Sequence, residues 1–402
     1  MSRSSIACWF FRSYRLRSIS FIKCILWLII LYLLNTILGV QYYLWSERSF
    51  KNEYHLSMTQ IDITKLDENN PEEILGLPKY IISNRFIINN EYLCNHENSV
   101  TIIQPHLLIL VKSAVENWKA RQAIRMTWAK NDFLEKNNIK LAFVLGIIRS
   151  QKFSSNANEQ NLSVEKESKQ YKDIIQIDQI DFYYHNTYKM VMMLRWINEY
   201  CTSKSHHSPS NDLRKYVLFV DDDYFIDLNS LLKYINKIDR NSDMTPYERR
   251  TFLTGYVYES SRPRRFLNGR WYVSIDDYPY DYYPPYATAG CFLMTRSSAR
   301  LFYIASKYTH LIRFDDVYMG LVAYSMSIKL IPNNNLFSSY ASSMILLNNQ
   351  IGFFSKFKRF FINQINLNST DKPFCIHGYR GEELIQIWND IYQTNLILPI
   401  IN

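Results

Sequence analysis

The chain opens on a block without a polar break. Between Cys24 and Ser46 no residue is charged, and Ile25–Leu34 is continuously apolar or aromatic. At a helical rise of about 1.5 Å per residue, such a stretch crosses a hydrocarbon core of about 30 Å. Beyond it the pattern changes. Short apolar runs alternate with longer segments that mix apolar and charged positions. Leu107–Val111, Leu141–Leu145, Ile174–Ile177 and Tyr216–Val220 are runs of the buried-strand type, with no polar face. Trp118–Thr127, Val164–Tyr171 and Lys189–Tyr200 have the spacing of helices, and a polar loop holding Asn156, Ala157 and Asn158 precedes the second. Strands alternating with helices predict an α/β domain with a mostly parallel sheet flanked by helices. Ligands bind such sheets beyond the carboxyl ends of the strands. The run Tyr216–Val220 ends directly in Asp221-Asp222-Asp223.

The flanks orient the apolar block. Arg3, Arg12, Arg15, Arg17 and Lys23 precede or enter it and no acidic residue does, so the N-terminus is expected to stay cytoplasmic. The division expected is a cytoplasmic tail (1–18), a transmembrane signal-anchor (19–45), a lumenal stem (46–95) and a catalytic domain (96–402). A cleaved signal peptide fits less well, because the apolar run is long and no small-residue cleavage site follows closely. Cys94, Cys201, Cys291 and Cys375 fall in the lumenal part, an even number that suits an oxidising compartment. Their pairing is not legible. Asn161-Leu162-Ser163 and Asn368-Ser369-Thr370 are glycosylation triplets.

Composition adds less. The net charge is +9, but no basic run has recognition-helix spacing and part of the excess flanks the anchor, so nucleic acid is not an expected partner. The 31 tyrosines offer flat apolar area with a hydroxyl, which suits sugars and equally suits core filling. The three aspartates carry the chemistry. Like charges side by side raise one another's cost of ionisation unless a cation offsets them, and hard oxygen ligands suit Mg²⁺ or Mn²⁺. Taken alone, the triplet is equally a solvated acidic turn before the next helix, with Asp227 as a further cap.

Seven pieces in order then resemble the β1,3-galactosyltransferase family, glycosyltransferase family 31, over roughly residues 94–392. They are Arg121–Trp128, Phe143–Gly146, Glu167–Gln176, Phe219–Phe225, Tyr283–Tyr286 with Gly290, Asp315–Gly320, and Ile376–Gly378 with Glu382, Glu383, Leu384 and Trp388. The resemblance implies a GT-A fold and inverting transfer from a UDP-sugar. It implies Asp316 as catalytic base and Asp223 with His377 as ligands of Mn²⁺. Asp221 and Asp222 are implied near uridine and ribose, with Arg121, Arg125, Asp173 and Lys189 at positions around the nucleotide. Tyr286 and Gly290 fall in the implied sugar-site loop.

The chain also departs from the family pattern. Gln179, His185-Asn186, Thr288-Ala289, Cys291, Asp315 and Val322 stand where other residues are usual. Asp315 replaces the commoner Glu and weakens the case for galactose. The expected function is therefore a Golgi β1,3-galactosyltransferase using UDP-galactose, on a protein or lipid glycan. The alternative in the same family transfers an N-acetylhexosamine, and a third reading is a catalytically silent secretory-pathway chaperone.

Overall fold

A computed structural model describes residues 21–37, 47–67, 71–94, 104–148, 156–201, 213–266, 269–336 and 373–397. The expected tail (1–18) and Asn368 lie outside them, as do both ends of the expected span. The chain divides into two units, residues 58–259 with 284–402, and residues 1–57 with 260–283.

The larger unit is built on an eight-stranded sheet: β1 (Phe86–Asn89), β2 (Leu107–Lys112), β3 (Ile139–Ile147), β4 (Ile174–Ile180), β5 (Tyr216–Asp221), β7 (Leu253–Tyr258), β8 (Tyr286–Thr295) and β9 (Ile331–Pro332). A separate two-stranded ladder joins β6 (Tyr224–Ile226) to β10 (Cys375–His377). The main order is β1-β4-β3-β2-β5-β8-β7-β9. The four central strands, β4 to β5, run parallel, whereas β1, β8 and β7 pair antiparallel with their inner neighbours. The sheet is therefore mixed, which corrects the expectation of a mostly parallel one. The reason lies in the connections. A parallel neighbour needs a crossover, usually helical. The link from β7 to β8 contains no helix among its described residues, so β8 returns antiparallel.

Among the described residues, the helices beside this sheet include α1 (Trp118–Met126), α2 (Asn156–Tyr171), α3 (Asn186–Trp196), α4 (Leu228–Arg240), α5 (Arg296–Ser306), α6 (Asp315–Ser325) and α7 (Glu382–Ile397). α2 begins at Asn156, inside the segment expected as a loop. Leu107, Ile109 and Val111 of β2 join one core with Ala123 and Ile124 of α1, Leu231 and Ile235 of α4, and Leu384 and Ile387 of α7. Leu108 and Leu110 are equally buried and alternate to the opposite face, where α3, α5 and α6 pack on one another. Asp227 accepts from Ser230 N at 3.2 Å and caps α4, the role allowed for it in the bland reading of the acidic run.

The segment expected as a stem does not end before the fold begins. Ile61, Ile63 and Leu66 are buried, and β1 covers the open edge of β4 with Phe86 opposite Ile177. Cys94 is bonded to Cys201, and Cys291 to Cys375. The second bridge ties β8 to β10.

In the smaller unit Arg265 is the organiser. Its guanidinium meets Glu47 at 2.8 Å and donates to the carbonyls of Val273, Ser274, Tyr278 and Tyr280. Residues 21–37 are helical with apolar side chains exposed all round, Trp27 and Tyr32 among them. Among the described residues, no helix is long and apolar enough to cross a membrane.

Of the described glycines, Gly290 leaves the least room for a side chain. A Cβ there would meet Tyr224 Oη at 2.1 Å and the ring at 2.8 Å. Gly290→Ala is therefore expected to cost about 1–3 kcal/mol in urea denaturation, the range of overpacking. Tyr224→Phe in the same chain should recover only part of it, because the ring carbon remains.

Candidate functional site

The strand order places the site. β3 and β4 lie on one side of β2, and the chain returns to put β5 on its other side. The carboxyl ends of β2 and β5 thus flank a topological switch point, where open α/β sheets bind ligands. Their last residues, Lys112 and Asp221, are register partners. Lys112 Nζ lies 3.0 Å from Asp221 Oδ1 and 2.6 Å from Asp315 Oδ2, the first residue of α6. Only 6% of the lysine is exposed. Burial opposes its charge, but the two carboxylates outweigh that and hold the ammonium well above its ordinary pKa. Asp221 is pushed up to about 7, chiefly by burial and further by Asp223 and Asp315, while Lys112 pulls it down. Its side chain keeps 38% exposure despite dense surroundings, as a group on the floor of a cleft does.

The three aspartates have three different settings. Asp222 is buried and saturated. It accepts from Ser113 Oγ at 2.7 Å, Asn117 Nδ2 at 2.8 Å and Arg380 at 2.6 Å. Asp223 Oδ2 lies 3.4 Å from His377 Nε2 and 3.8 Å from Arg380, while its buried Oδ1 has no hydrogen-bond partner. The β6–β10 ladder brings the pair together by setting His377 opposite Tyr224, and Gly378 N and Tyr379 N both donate to the Asp223 carbonyl. Burial alone would raise the Asp223 carboxyl, but the hydrogen bond and charge of His377, with the charge of Arg380, hold it below the usual range. His377 is raised in turn, mainly by Asp223.

This pair fits a divalent ion that takes its remaining ligands from elsewhere. A buried, unpartnered carboxylate oxygen is costly unless a cation meets it. Among the described residues no three His, Cys, Asp or Glu are grouped to hold a metal alone. Mg²⁺-like ions commonly take one or two carboxylates and complete their shell with water and substrate phosphates.

Asp316 opens α6 beside Asp315. Its Oδ1 accepts from Val317 N at 2.8 Å. Its carboxyl is pushed up to about 7, first by burial and then by the Asp315 charge, against that hydrogen bond and Lys112. One turn on, Gly320 lets the helix close on β8, where an added Cβ would meet Pro285 O and Tyr286 Cβ, both at 2.7 Å. Tyr286 and Gly290 are thus parts of a strand, not of a loop.

The sequence profile of the Galactosyltransferase family matches residues 119–334, a span that holds the three aspartates and Asp316. The chain belongs to this family. It is 34% identical to "Beta-1,3-galactosyltransferase brn" of Drosophila melanogaster over 58% of this chain and 64% of that one. It is 31% identical to "Lactosylceramide 1,3-N-acetyl-beta-D-glucosaminyltransferase A" of Xenopus laevis over 64% of this chain and 62% of that one. "Beta-1,3-galactosyltransferase 1" of Mus musculus is 29% identical over 75% of this chain and 78% of its own length. The match thus spans less than two thirds of the first two relatives. Among solved structures, the galactosyltransferase LgtC aligns with 73% of this chain and 98% of its own at a TM-score of 0.32 and 11% identity, too distant to bear on the fold or the site.

Within this galactosyltransferase-family chain, the four residues implied at the nucleotide have protein partners. Arg121 is buried against Glu167 at 2.7 Å and donates to Ala114 O and Ser113 Oγ. Arg125 binds Asp173 and Glu167 and lies over Tyr171 at 4.0 Å. Lys189 joins Asp181 and donates to Ser113 O at 2.7 Å. Arg121 and Lys189 hold the turn after β2, which carries Ser113 and Asn117 to Asp222, whereas Arg125 and Asp173 pair with each other. Arg121, Arg125, Asp173 and Lys189 hold these contacts at positions that the family resemblance implies near the nucleotide. Asn161 lies on α2.

Lys112, Ser113, Asn117 and Arg380 escaped the sequence reading. A lysine closing an apolar run was the one signal available, and it reads as a strand end. Replacing Lys112 by Met leaves two carboxylates without their cation. It is expected to lower stability by about 3–5 kcal/mol in chemical denaturation, as when one partner of a buried ion pair is removed. Adding Asp315→Asn should restore part of the loss.

Proposed function

We propose that this chain is an inverting β1,3-glycosyltransferase that moves galactose from UDP-galactose to a hydroxyl of a protein- or lipid-linked glycan, with Mn²⁺ as its ion. One observation carries the reading: Lys112 ties the strand of the Asp223–His377 pair to the helix that begins with Asp315 and Asp316. An ion-holding pair and an enclosed carboxyl group thus share one assembly at the switch point. Asp316 is the general base. A carboxylate tuned near neutrality combines a useful ionised fraction with a useful proton affinity. It takes the proton of the acceptor hydroxyl as that oxygen forms its bond to the sugar's anomeric carbon. The bond to the UDP oxygen breaks on the opposite face, which inverts the centre. A bound divalent ion supplies neutralisation of the diphosphate charge. Asp223 and His377 would hold it, and Asp221 lies on the cleft floor beside them.

A second reading takes N-acetylglucosamine as donor sugar. The lactosylceramide N-acetylglucosaminyltransferase of Xenopus laevis supports it, at an identity close to that of the fly galactosyltransferase. A screen of UDP-galactose against UDP-N-acetylhexosamines, with Mn²⁺, decides between them. For location we propose a type II Golgi membrane protein with the catalytic unit lumenal. The apolar helix over residues 21–37 and the bridges Cys94–Cys201 and Cys291–Cys375 support it, since such bridges persist in oxidising compartments.

Two outcomes test the chemistry. Asp316→Asn keeps the size of the side chain and loses its proton affinity. Transfer should fall about 10²- to 10⁴-fold, with UDP binding by calorimetry nearly unchanged. In the unaltered chain kcat/KM should fall about tenfold per pH unit below about 7, where Asp316 is protonated. The folded state holds that proton more tightly than the unfolded chain, so this group's contribution to stability declines from about pH 4 to about 7. A near wild-type rate for Asp316→Asn would remove it from the base role.

The ion is tested through binding. Asp223→Ala and His377→Ala should each raise the Mn²⁺ concentration for half-maximal UDP binding by more than about tenfold. UDP binding that stays full in EDTA would refute the ion assignment.

A further inference from the structure

Beside Asp316 the sheet carries a ladder of tyrosines. Tyr258, the last residue of β7, is the register partner of Tyr286, the first of β8. Directly opposed residues share one face of a sheet. The two ring centroids lie 5.4 Å apart, with planes inclined by 34°. Tyr256, two residues back at a register shift in the β7–β8 pairing, meets Tyr258 edge-on at 5.3 Å. Tyr258 is 40% exposed although it touches two other rings.

The ladder stands next to the reacting group. Gly320 is the residue of α6 that lies against Tyr286. It falls four positions after Asp316, so both occupy one face of the helix, a turn apart. The field of Asp316 also reaches the Tyr258 hydroxyl, whose pKa is raised by burial first, then by Tyr256 and Asp316.

We propose that Tyr258 and Tyr286, flanked by Tyr256, form the platform on which a pyranose ring of the acceptor glycan lies with its hydroxyl directed at Asp316. The chemistry is that of an aromatic face meeting a sugar. The C–H groups on one side of a pyranose carry partial positive charge and pack against the negative face of a ring. The ring's hydroxyls stay at its edge, where tyrosine O–H groups donate and accept. A platform made of rings holds the acceptor without adding charge near a base that depends on its own charge balance. It also gives the strand pair a reason to end in aromatic residues at an exposed point, where a core needs none. The inference rests on the transferase reading of Asp316 and adds the acceptor's seat to it.

The test separates the two. The probes are methyl β-lactoside, methyl β-mannoside and methyl N-acetyl-β-glucosaminide, offered to the full chain with UDP and Mn²⁺. Saturation of the protein's aromatic protons should pass to C–H protons on one face of at least one glycoside. Tyr258→Ala should abolish that transfer and raise the acceptor KM about tenfold, with UDP affinity and thermal midpoint unchanged. Tyr258→Phe, which keeps the ring, should stay within about twofold of the unaltered chain. The platform is overturned by an unaltered acceptor KM and proton pattern in Tyr258→Ala. It is equally overturned if the unaltered chain binds UDP and shows no transfer to any of the three. Failure of the unaltered chain to bind UDP at all would instead remove the underlying transferase reading.

Discussion

An ammonium group held away from water between two carboxylates is the constraint on which this site depends. Lys112 ends β2, Asp221 ends β5 and Asp315 begins α6, so one side chain joins three elements widely separated in sequence. Buried charge is tolerable only when paired, and here each partner lacks compensation without the lysine. The arrangement fixes the level at which β5 stops and the point at which α6 starts. Those two points carry the Asp223–His377 pair and Asp316. Positional freedom at Lys112 would separate the Asp223–His377 pair from Asp316.

Around that centre, charge is used mainly for placement. Arg121, Arg125 and Lys189 are fully occupied by Glu167, Asp173 and Asp181 and by backbone carbonyls around the turn after β2. The turn delivers Ser113 and Asn117 to Asp222, and Arg380 closes the other oxygen. Ion pairs at such depth are poor sources of net stability but define geometry sharply, since any alternative leaves a bare charge in a low-dielectric interior. The consequence is a division among three consecutive carboxylates. Asp222 is a strut, Asp221 is a partner of Lys112 on the cleft floor, and Asp223 retains an oxygen that nothing in the fold satisfies.

Tight packing supports the same layout. Tyr224 fills the space left by Gly290, and Tyr286 the space beside Gly320. Gly290 lets the Tyr224 ring reach the β8 backbone and Gly320 lets α6 close on the start of β8, so the ladder holding His377 and the helix holding Asp316 are both seated on β8. The disulfide Cys291–Cys375 joins β8 to β10 next to the first of these contacts. β8 is thus the shared floor on which the two chemical groups are mounted.

The sequence by itself determined the four central strands, because buried parallel strands are continuous apolar runs that need no partner to be recognised. It set Asp221–Asp223, Asp315–Asp316 and His377 in family order, and it put the three aspartates at the carboxyl end of a central strand. It did not determine β1, β7 or β8, whose half-polar patterns become strands only against a neighbour. It left open what Arg121, Arg125, Asp173 and Lys189 touch, because a charged side chain is the same letter whether it faces a nucleotide or a buried carboxylate. Lys112 and Tyr258 were invisible for the converse reason. Nothing in β2 announces that its last residue lies opposite Asp221, and nothing in β7 announces that its last residue lies opposite Tyr286. Register and burial, which exist only once the strands have paired, decide what those side chains do.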